Sequence, residues 1–167
     1  MTKNSFRAYF VCLLLIFMGP SCGQTGPSVA QSELNGIWTT GCVPVLNVIS
    51  VRSDYRFSGG DLEQITETFT DPGCSLSPTI TTSYYSNSIS GGNAAVTDAT
   101  NIDSTLTSQK TCSDGVCSST TIEPKVIYLG LYKIQGDNLF ISWGSGKSEP
   151  AEKDRATSLS GAITKVK

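Results

Sequence analysis

From Leu34 onward the chain alternates short runs rich in Thr, Ser, Tyr, Val and Ile with clusters of Gly, Pro, Asn and Asp. Such runs favour β-strands and the residues between them favour turns. The pattern predicts strands near residues 36–42, 46–57, 62–70, 79–90, 95–110, 117–122, 125–134, 138–144 and 157–165. Many short antiparallel strands must hide their edges, and a closed barrel does this in one sheet. We therefore expect an all-β fold, a small antiparallel β-barrel of about eight strands, with a two-sheet β-sandwich as the alternative.

The clearest hairpin in the sequence lies between residues 126 and 143. Two apolar runs, 126–134 and 139–143, flank a turn that contains Gly, Asp and Asn, which is typical of a hairpin. The first run is apolar on both faces, so we expect a covered strand at the centre of the core. Residues 79–121 are instead rich in Ser and Thr; they are either strands with a hydroxyl-rich face or irregular loop, and the lack of proline favours strands. Residues 145–154 are polar enough to predict an exposed loop before the last strand.

Residues 1–21 have the three-part pattern of an export signal. Lys3 and Arg7 make the start basic, residues 8–18 form an unbroken apolar run, and residues 19–21 are small or polar. A transmembrane helix needs about 20 apolar residues to cross a hydrocarbon core of roughly 30 Å, so this run is too short to span a bilayer. We expect residues 1–21 to be a signal peptide that is removed on export.

Cys22 follows this segment directly. The sequence Gly-Pro-Ser-Cys at residues 19–22 resembles the lipobox of bacterial lipoproteins, in which the cysteine thiol receives a diacylglycerol and the signal is cut in front of it. The resemblance implies a membrane anchor through an N-terminal lipid, with palmitate, on Cys22. It also implies an outer-membrane place in the cell envelope, because Gly23 stands where an Asp would resemble an inner-membrane retention signal. Cleavage after Ala30 is the rival, and would release a soluble secreted or periplasmic protein.

The remaining chain divides into two parts. Residues 22–33 are mostly small and uncharged, a composition that predicts a flexible tether behind an anchor. Residues 34–167 form the antiparallel β domain. Each acyl carbon buried in a bilayer contributes about 0.8 kcal/mol, so two or three chains on one cysteine would hold this domain stably at the membrane.

Four of the 6 cysteines remain once Cys12 is placed in the signal and Cys22 is assigned to the lipid. They are Cys42, Cys74, Cys112 and Cys117. An even set in an exported chain predicts two disulfides, for which three pairings are open. The Asp-Gly turn between Cys112 and Cys117 favours joining these two, which leaves Cys42 for Cys74. Structural zinc prefers paired cysteine knuckles or histidines, and the chain has no histidine, so we expect no metal.

Two short motifs suggest a family. Gly36-Ile37-Trp38 resembles the Gly-x-Trp opening of lipocalin-like domains, in which the tryptophan of the first strand closes one end of a barrel. Residues 133–139 are similar to the late hairpin of bacterial lipocalin-like lipoproteins, and Arg155 precedes the last strand much as a basic residue does there. The resemblance implies a barrel that binds a small lipophilic ligand.

Four aromatic residues are candidates for either core packing or ligand contact: Trp38, Tyr128, Tyr132 and Trp143. Large aromatic side chains serve burial in most proteins, so the core is the expected place for the tryptophans. If the barrel is roomy, a cavity beside Tyr128 and Tyr132 would hold a small apolar molecule.

The sequence offers little catalytic chemistry. The absence of histidine removes the commonest general base. Glu63 and Glu67 are spaced to share one exposed face of a strand, where solvated charge explains them better than a glycosidase pair. No glycine-rich phosphate loop precedes a helix, and the formal net charge of -2 is dispersed without a basic run, so we expect neither a cofactor nor a nucleic-acid partner. We expect a non-enzymatic protein.

Two functions remain from different classes. The first is a lipid-anchored binding module for a small lipophilic ligand or an envelope component. The second is a secreted or surface adhesion or structural protein with a filled β core and no small-molecule ligand. An internal cavity favours the first, and a solid core with an exposed apolar patch favours the second.

Overall fold

Extended strands account for most of the chain in the computed structural model, which describes residues 27–93 and 95–167. The predicted signal peptide and Cys22 lie outside these residues. Helix α1, Pro27–Leu34, occupies most of the segment that the sequence predicts as a tether. In the part of the chain that the structure describes, no helix is long and apolar enough to cross a bilayer.

Nine antiparallel strands form one sheet that closes on itself. They are β1 (Gly36–Thr39), β2 (Val43–Leu46), β3 (Ile49–Ser58), β4 (Asp61–Phe69), β5 (Thr79–Gly92), β6 (Thr100–Ser113), β7 (Val116–Gln135), β8 (Asn138–Trp143) and β9 (Ala162–Lys165). The hydrogen-bonded order is β1-β9-β8-β7-β6-β5-β4-β3-β2, and β1 also pairs with β3. Because β1 joins β9 to β3, eight strands form a closed barrel, and β2 is an extra strand beside β3. The predicted barrel is confirmed and the sandwich is excluded.

Strand β7 is longer than the sequence predicts. Two strands, 117–122 and 125–134, were expected, and Pro124, which cannot donate to a β-ladder, lies between them. The structure has a single strand, whose pairing with β6 skips residues 122–125 and resumes beyond them. The prediction of a break was wrong because Pro124 lies in a bulge, where its missing N–H is not needed for pairing and the strand continues.

The last strand is shorter than predicted. It begins at Ala162, whereas the sequence pattern places it over residues 157–165. The Ser160 hydroxyl donates to the carbonyl oxygen of Ile141. This side-chain hydrogen bond occupies an acceptor of β8 that a longer β9 would use.

An apolar core fills the half of the barrel that lies next to α1, which we call the lower half. Its buried members are Leu34, Trp38, Phe57, Leu62, Ile102, Tyr132, Leu139, Ile141 and Ile163. Cross-strand partners share a face of the sheet, and the register pairs Tyr132 with Ile141 and Leu139 with Ile163. The hairpin predicted over residues 126–143 therefore supplies a large part of the core, as expected.

The lower end of the barrel is closed around Trp38. This side chain is fully buried, and its Nε1 donates to the carbonyl oxygen of Leu34 at 2.8 Å. Lys165 Nζ lies 4.9 Å from the centre of the indole ring, within the range of a cation–π contact. A void of about 10 Å³ between α1 and the strands is only large enough for a single water. The part of the lower half beside α1 is therefore closely packed.

A long segment after β8 runs along the edge of β7 that β8 leaves unpaired, and we call residues 144–161 the strap. Gly144 N and Ala156 N both donate to the carbonyl oxygen of Leu129, and the Lys147 backbone exchanges two hydrogen bonds with Ile127. The buried Arg155 fixes it further: its Nη1 donates to Asp103 Oδ1 at 2.7 Å and to the Gly130 carbonyl oxygen at 2.9 Å. The exposed loop predicted over residues 145–154 is largely exposed but tethered to β7.

Both disulfides lie at the upper end, opposite α1. Cys42 is bonded to Cys74, which joins the segment before β2 to the loop between β4 and β5. Cys112 is bonded to Cys117 across the turn between β6 and β7. The pairing favoured by the sequence is the one in the structure.

Candidate functional site

A cavity of about 190 Å³ lies inside the barrel above the core. Gln64, Tyr85, Tyr128, Trp143 and Gly144 line it. Ligand pockets for drug-sized molecules measure roughly 300–1,000 Å³, whereas a dry cavity of about 150 Å³ is enough for benzene. The cavity therefore has room for one ring-sized group.

The strand register directs these side chains inward. Gln64 is two residues beyond the buried Leu62 on β4, so both point to the interior. Tyr85 is the cross-strand partner of Leu62. Trp143 is paired with Gly130, which is itself paired with the buried Ile102. The cavity wall continues the inner face of the core.

One wall of the cavity is aromatic. The rings of Tyr85 and Tyr128 meet edge to face, with centroids 6.1 Å apart and an interplanar angle of 73°. Such pairs stabilise each other by about 0.5–1.5 kcal/mol beyond the area they bury. Two glycines make room for this wall: an added Cβ at Gly130 or at Gly146 would come within 2.5 Å of the Trp143 or the Tyr128 ring, respectively.

The facing wall is polar and uncharged. The amide of Gln64 donates through Nε2 to the Tyr55 hydroxyl at 3.5 Å and accepts through Oε1 from the Tyr85 hydroxyl at 3.3 Å. In the same cross-strand row, Gln109 Nε2 donates to Ser83 Oγ at 3.0 Å. Amides and hydroxyls both donate and accept hydrogen bonds, so this wall can hold either kind of polar group.

The next set of inward cross-strand partners toward the upper end is also polar and uncharged. The register pairs Ser53 with Thr66 and Thr66 with Thr81, and the Ser53 and Thr66 hydroxyl oxygens are 3.4 Å apart. The hydroxyl-rich stretch that the sequence left open as strand or loop is mostly strand. It supplies part of this polar interior.

Tyr55 and Tyr85, which lie beside the cavity, stay protonated far above neutral pH. Burial raises the pKa of Tyr55 above its ordinary value of 10.0, and it raises the pKa of Tyr85 as well. Deeper in the core, burial raises the pKa of Tyr132 to about 12. Loss of water around the phenolate is the common cause. The interior therefore presents neutral hydroxyl groups.

The four aromatic residues singled out from the sequence divide evenly. Trp38 and Tyr132 belong to the buried core, whereas Tyr128 and Trp143 line the cavity. The sequence analysis missed Gln64 and Tyr85. A signal for Gln64 exists in β4, where every acid stands at an odd position and the even positions, which include Leu62 and Gln64, carry no charge.

The acids of β4 lie on the outer face, as predicted. Glu67 accepts from Arg52 at 2.5 Å and Glu63 from Arg56 at 3.3 Å. A groove of about 300 Å³ lies near them between β4 and β5 and is lined largely by outward-facing residues, Glu63 and Tyr84 among them. This groove is more open than the interior cavity, and the carboxylate of Glu63 on its wall is already paired with Arg56.

Exposed aliphatic side chains mark the upper end of the barrel, and we call this set the upper aliphatics. They are Val43, Val45, Leu46, Val48, Leu76 and Val116, each between 45% and 76% exposed. Residues 40–51, which contain four of them, include no charged residue. Isolated exposed aliphatics are ordinary, but a concentration of them indicates a contact surface.

Comparison with known proteins gives no family for this chain. No protein-family model matches it, and no curated protein resembles it in sequence.

Proposed function

We propose that this protein is a non-enzymatic binding module that takes a small uncharged ligand group into the barrel. The observation that carries the proposal is the cavity of about 190 Å³ lined by Gln64, Tyr85, Tyr128 and Trp143. One wall offers ring faces and the other offers neutral hydrogen-bonding groups. A charged ligand would lose its hydration without gaining a counter-charge there, at a cost of several kcal/mol.

The resemblance to lipocalin-like lipoproteins supports the same function. That resemblance implies that Trp38 closes one end of a barrel. Here Trp38 is buried at the lower end, and the cavity lies above it. The lipophilic ligand expected from the resemblance would place its apolar part against the aromatic wall.

The binding test uses uncharged and charged probes of matched size. Phenol, cyclohexylmethanol and methyl β-glucoside are titrated against benzoate and benzylamine, with NMR shifts read at the Gln64 side-chain amide and the Trp143 indole. We expect shifts with at least one uncharged probe and none with the charged ones. If no uncharged probe shifts these two signals, or if benzoate or benzylamine shifts them as strongly, the proposal is wrong.

Two variants locate the binding. Gln64→Phe should fill the cavity and abolish the probe-induced shift at Trp143, while Gln135→Leu, an exposed change at the end of β7, should leave it intact. Tyr128→Leu provides a second cavity change in case the first variant does not fold. Circular dichroism of each variant checks the fold.

We further propose that the protein works at the outer membrane, held by a lipid on Cys22. The support is the sequence context of Cys22. Metabolic labelling with a palmitate analogue tests the anchor: the label should appear on the wild type and vanish in Cys22→Ala. Gln31 as the first residue of the mature protein would instead establish the soluble secreted or periplasmic form.

A second candidate function, protein–protein adhesion without a small ligand, is favoured by the upper aliphatics. Among the strands described, none pairs with the outer edge of β2, and a free edge with apolar side chains is a common place for a partner chain. A photoreactive residue at position 46 should then crosslink to a partner in intact cells, with position 135 as the control. Crosslinking at neither position, or at both alike, would exclude this candidate.

A further inference from the structure

The interior rows of β3 to β6 are unusual for a site that holds only apolar molecules. Their inward side chains near the cavity include Ser53, Tyr55, Gln64, Ser83 and Gln109, none of which is charged. Ser53 and Ser83 are buried. An apolar ligand needs none of these amides and hydroxyls, each of which would cost about 1–3 kcal/mol to bury without a partner; within the described residues, no buried side-chain nitrogen or oxygen lacks one.

Gln64 retains hydrogen-bonding capacity toward the cavity. Its amide nitrogen carries two hydrogens and its oxygen two lone pairs. Within the described residues it donates once, to Tyr55 at 3.5 Å, and accepts once, from Tyr85 at 3.3 Å. Both bonds are longer than the 2.7–3.2 Å usual for such groups. The amide can therefore serve a ligand that offers a donor and an acceptor together.

The aromatic wall stands beside this amide. Tyr128 and Trp143 present ring surface to the same space of about 190 Å³. A ligand that satisfies both walls needs an apolar face to pack on the rings and several hydroxyl groups around its edge. A pyranose ring has this construction, because its C–H groups form apolar faces and its hydroxyls project from the periphery, each donating and accepting.

We infer that the cavity binds a neutral sugar ring, either free or as the terminal unit of a larger glycan that leaves through the upper end. This inference rests on the proposed function and narrows its ligand from any uncharged ring to a polyhydroxylated one. The ring packs on Tyr128 and Trp143. Its hydroxyls bond to the amide of Gln64 and to the hydroxyl of Tyr85, both of which line the cavity.

The experiment compares methyl β-glucoside and N-acetylglucosamine with phenol and cyclohexylmethanol, using the full mature protein and the NMR signals of Gln64 and Trp143. We expect at least one sugar to bind more tightly than both apolar probes. In Gln64→Leu, sugar affinity should fall about tenfold, as expected for losing roughly 1.4 kcal/mol of hydrogen bonding, while phenol affinity should hold or rise. Gln135→Leu, outside the barrel, should change neither.

The outcomes separate this inference from the proposed function. If phenol or cyclohexylmethanol binds at these signals and the sugars do not, the sugar inference is overturned and the proposed function stands. If Gln64→Leu weakens sugar and phenol alike, the amide does not select the ligand and the inference is again wrong. If no uncharged probe moves either signal, both fail. Tyr128→Leu should weaken sugar and phenol together, and an unchanged sugar affinity in that variant would contradict the stacking.

Discussion

Gly130 lies directly against the indole of Trp143, so close that a Cβ at position 130 would stand 2.5 Å from Trp143 Cε3. The two residues are cross-strand partners on the inner face of β7 and β8. Only a residue without a side chain lets the indole settle on the backbone of β7, and that position makes the indole part of the cavity wall.

Gly130→Ala should therefore displace Trp143 and close the cavity. Overpacking of this kind costs about 1–3 kcal/mol, and we expect the free energy of unfolding to fall by that amount in urea denaturation. Probe binding should be lost even where the variant remains folded. Gly91→Ala is the matched control, because a Cβ added at Gly91 in β5 would meet nothing within 4 Å. Equal losses in both variants would contradict the role given to Gly130.

Arg155 holds the strap through a buried group. Its side chain is 7% exposed and bonds to Asp103, Glu152 and the Gly130 carbonyl. Arg155→Met should leave Asp103 and that carbonyl without this partner and lower the free energy of unfolding by about 2–3 kcal/mol, less than for a wholly buried pair because Asp103 is partly exposed.

The strap should respond to the same change. Hydrogen exchange at the Gly144 and Ala156 amides, which bond to Leu129, is expected to accelerate in Arg155→Met before the rest of the barrel opens. Arg56→Met removes a more exposed pair with Glu63 and should change stability by no more than about 0.5 kcal/mol. If the two variants are equally stable, Arg155 is not the anchor of the strap.

Much of the fold follows from local patterns in the sequence. Alternation and turn residues determine the strand positions, and the Asp-Gly turn between Cys112 and Cys117 identifies one disulfide, which leaves the other. Closure of the barrel was only one of two expectations, because a sandwich satisfies the same periodicity. The barrel closes because Trp38 of β1 pairs with both Tyr55 of β3 and Lys165 of β9. Pairing between residues so far apart in the chain cannot be predicted from a local sequence pattern.

The site was harder to predict. The sequence pattern around an aromatic strand residue is the same whether its side chain packs in the core or lines a cavity. The sequence therefore could not show that Tyr132 belongs to the core and Tyr128 to the cavity wall. The bulge at residues 122–125 and the strap at Gly146 set the space around Tyr128. Both depend on tertiary packing. Gln64 escaped notice because a single glutamine in a polar strand is usually solvated.

The two disulfides should contribute unequally to the free energy of unfolding. Cys42 and Cys74 are separated by 32 residues, and Cys112 and Cys117 by 5. Loop-closure entropy predicts about 3–4 kcal/mol for the longer loop and about 2 kcal/mol for the shorter one. The double variants Cys42→Ser/Cys74→Ser and Cys112→Ser/Cys117→Ser, unfolded in urea, should show this order. The second should retain probe binding, because its hairpin tip lies beyond the cavity; a larger loss there would contradict the ranking.

Ligand binding should be nearly independent of pH. The chain has no histidine, and burial keeps the pKa of Tyr55 and of Tyr85 above its ordinary value. Tyr55 and Tyr85 therefore keep their phenolic protons from about pH 6 to about pH 9. Affinities for the uncharged probes should agree within about twofold over this interval when measured by NMR. A steep change near neutral pH would point to an ionisable group that the proposed site does not contain.

Acid should loosen the loop between β4 and β5 through Asp71. Its carboxylate accepts hydrogen bonds from the backbone amides of Gly73, Ser75 and Leu76 and from the Ser75 hydroxyl. These bonds lower the pKa of Asp71 below its ordinary value of 3.8, and the bond from the Ser75 amide has the largest effect. Because the folded-state pKa is the lower one, the stabilisation is complete above the unfolded pKa and disappears as the pH falls through the folded one. Asp71→Asn should thus be less stable than the wild type at pH 7, and the difference in free energy of unfolding should shrink on acidification below about pH 4 in urea unfolding.

Asp61→Asn, at an exposed position, serves as the control. A gap that stays constant down to strong acid would show that the charge of Asp71 is not what organises this loop.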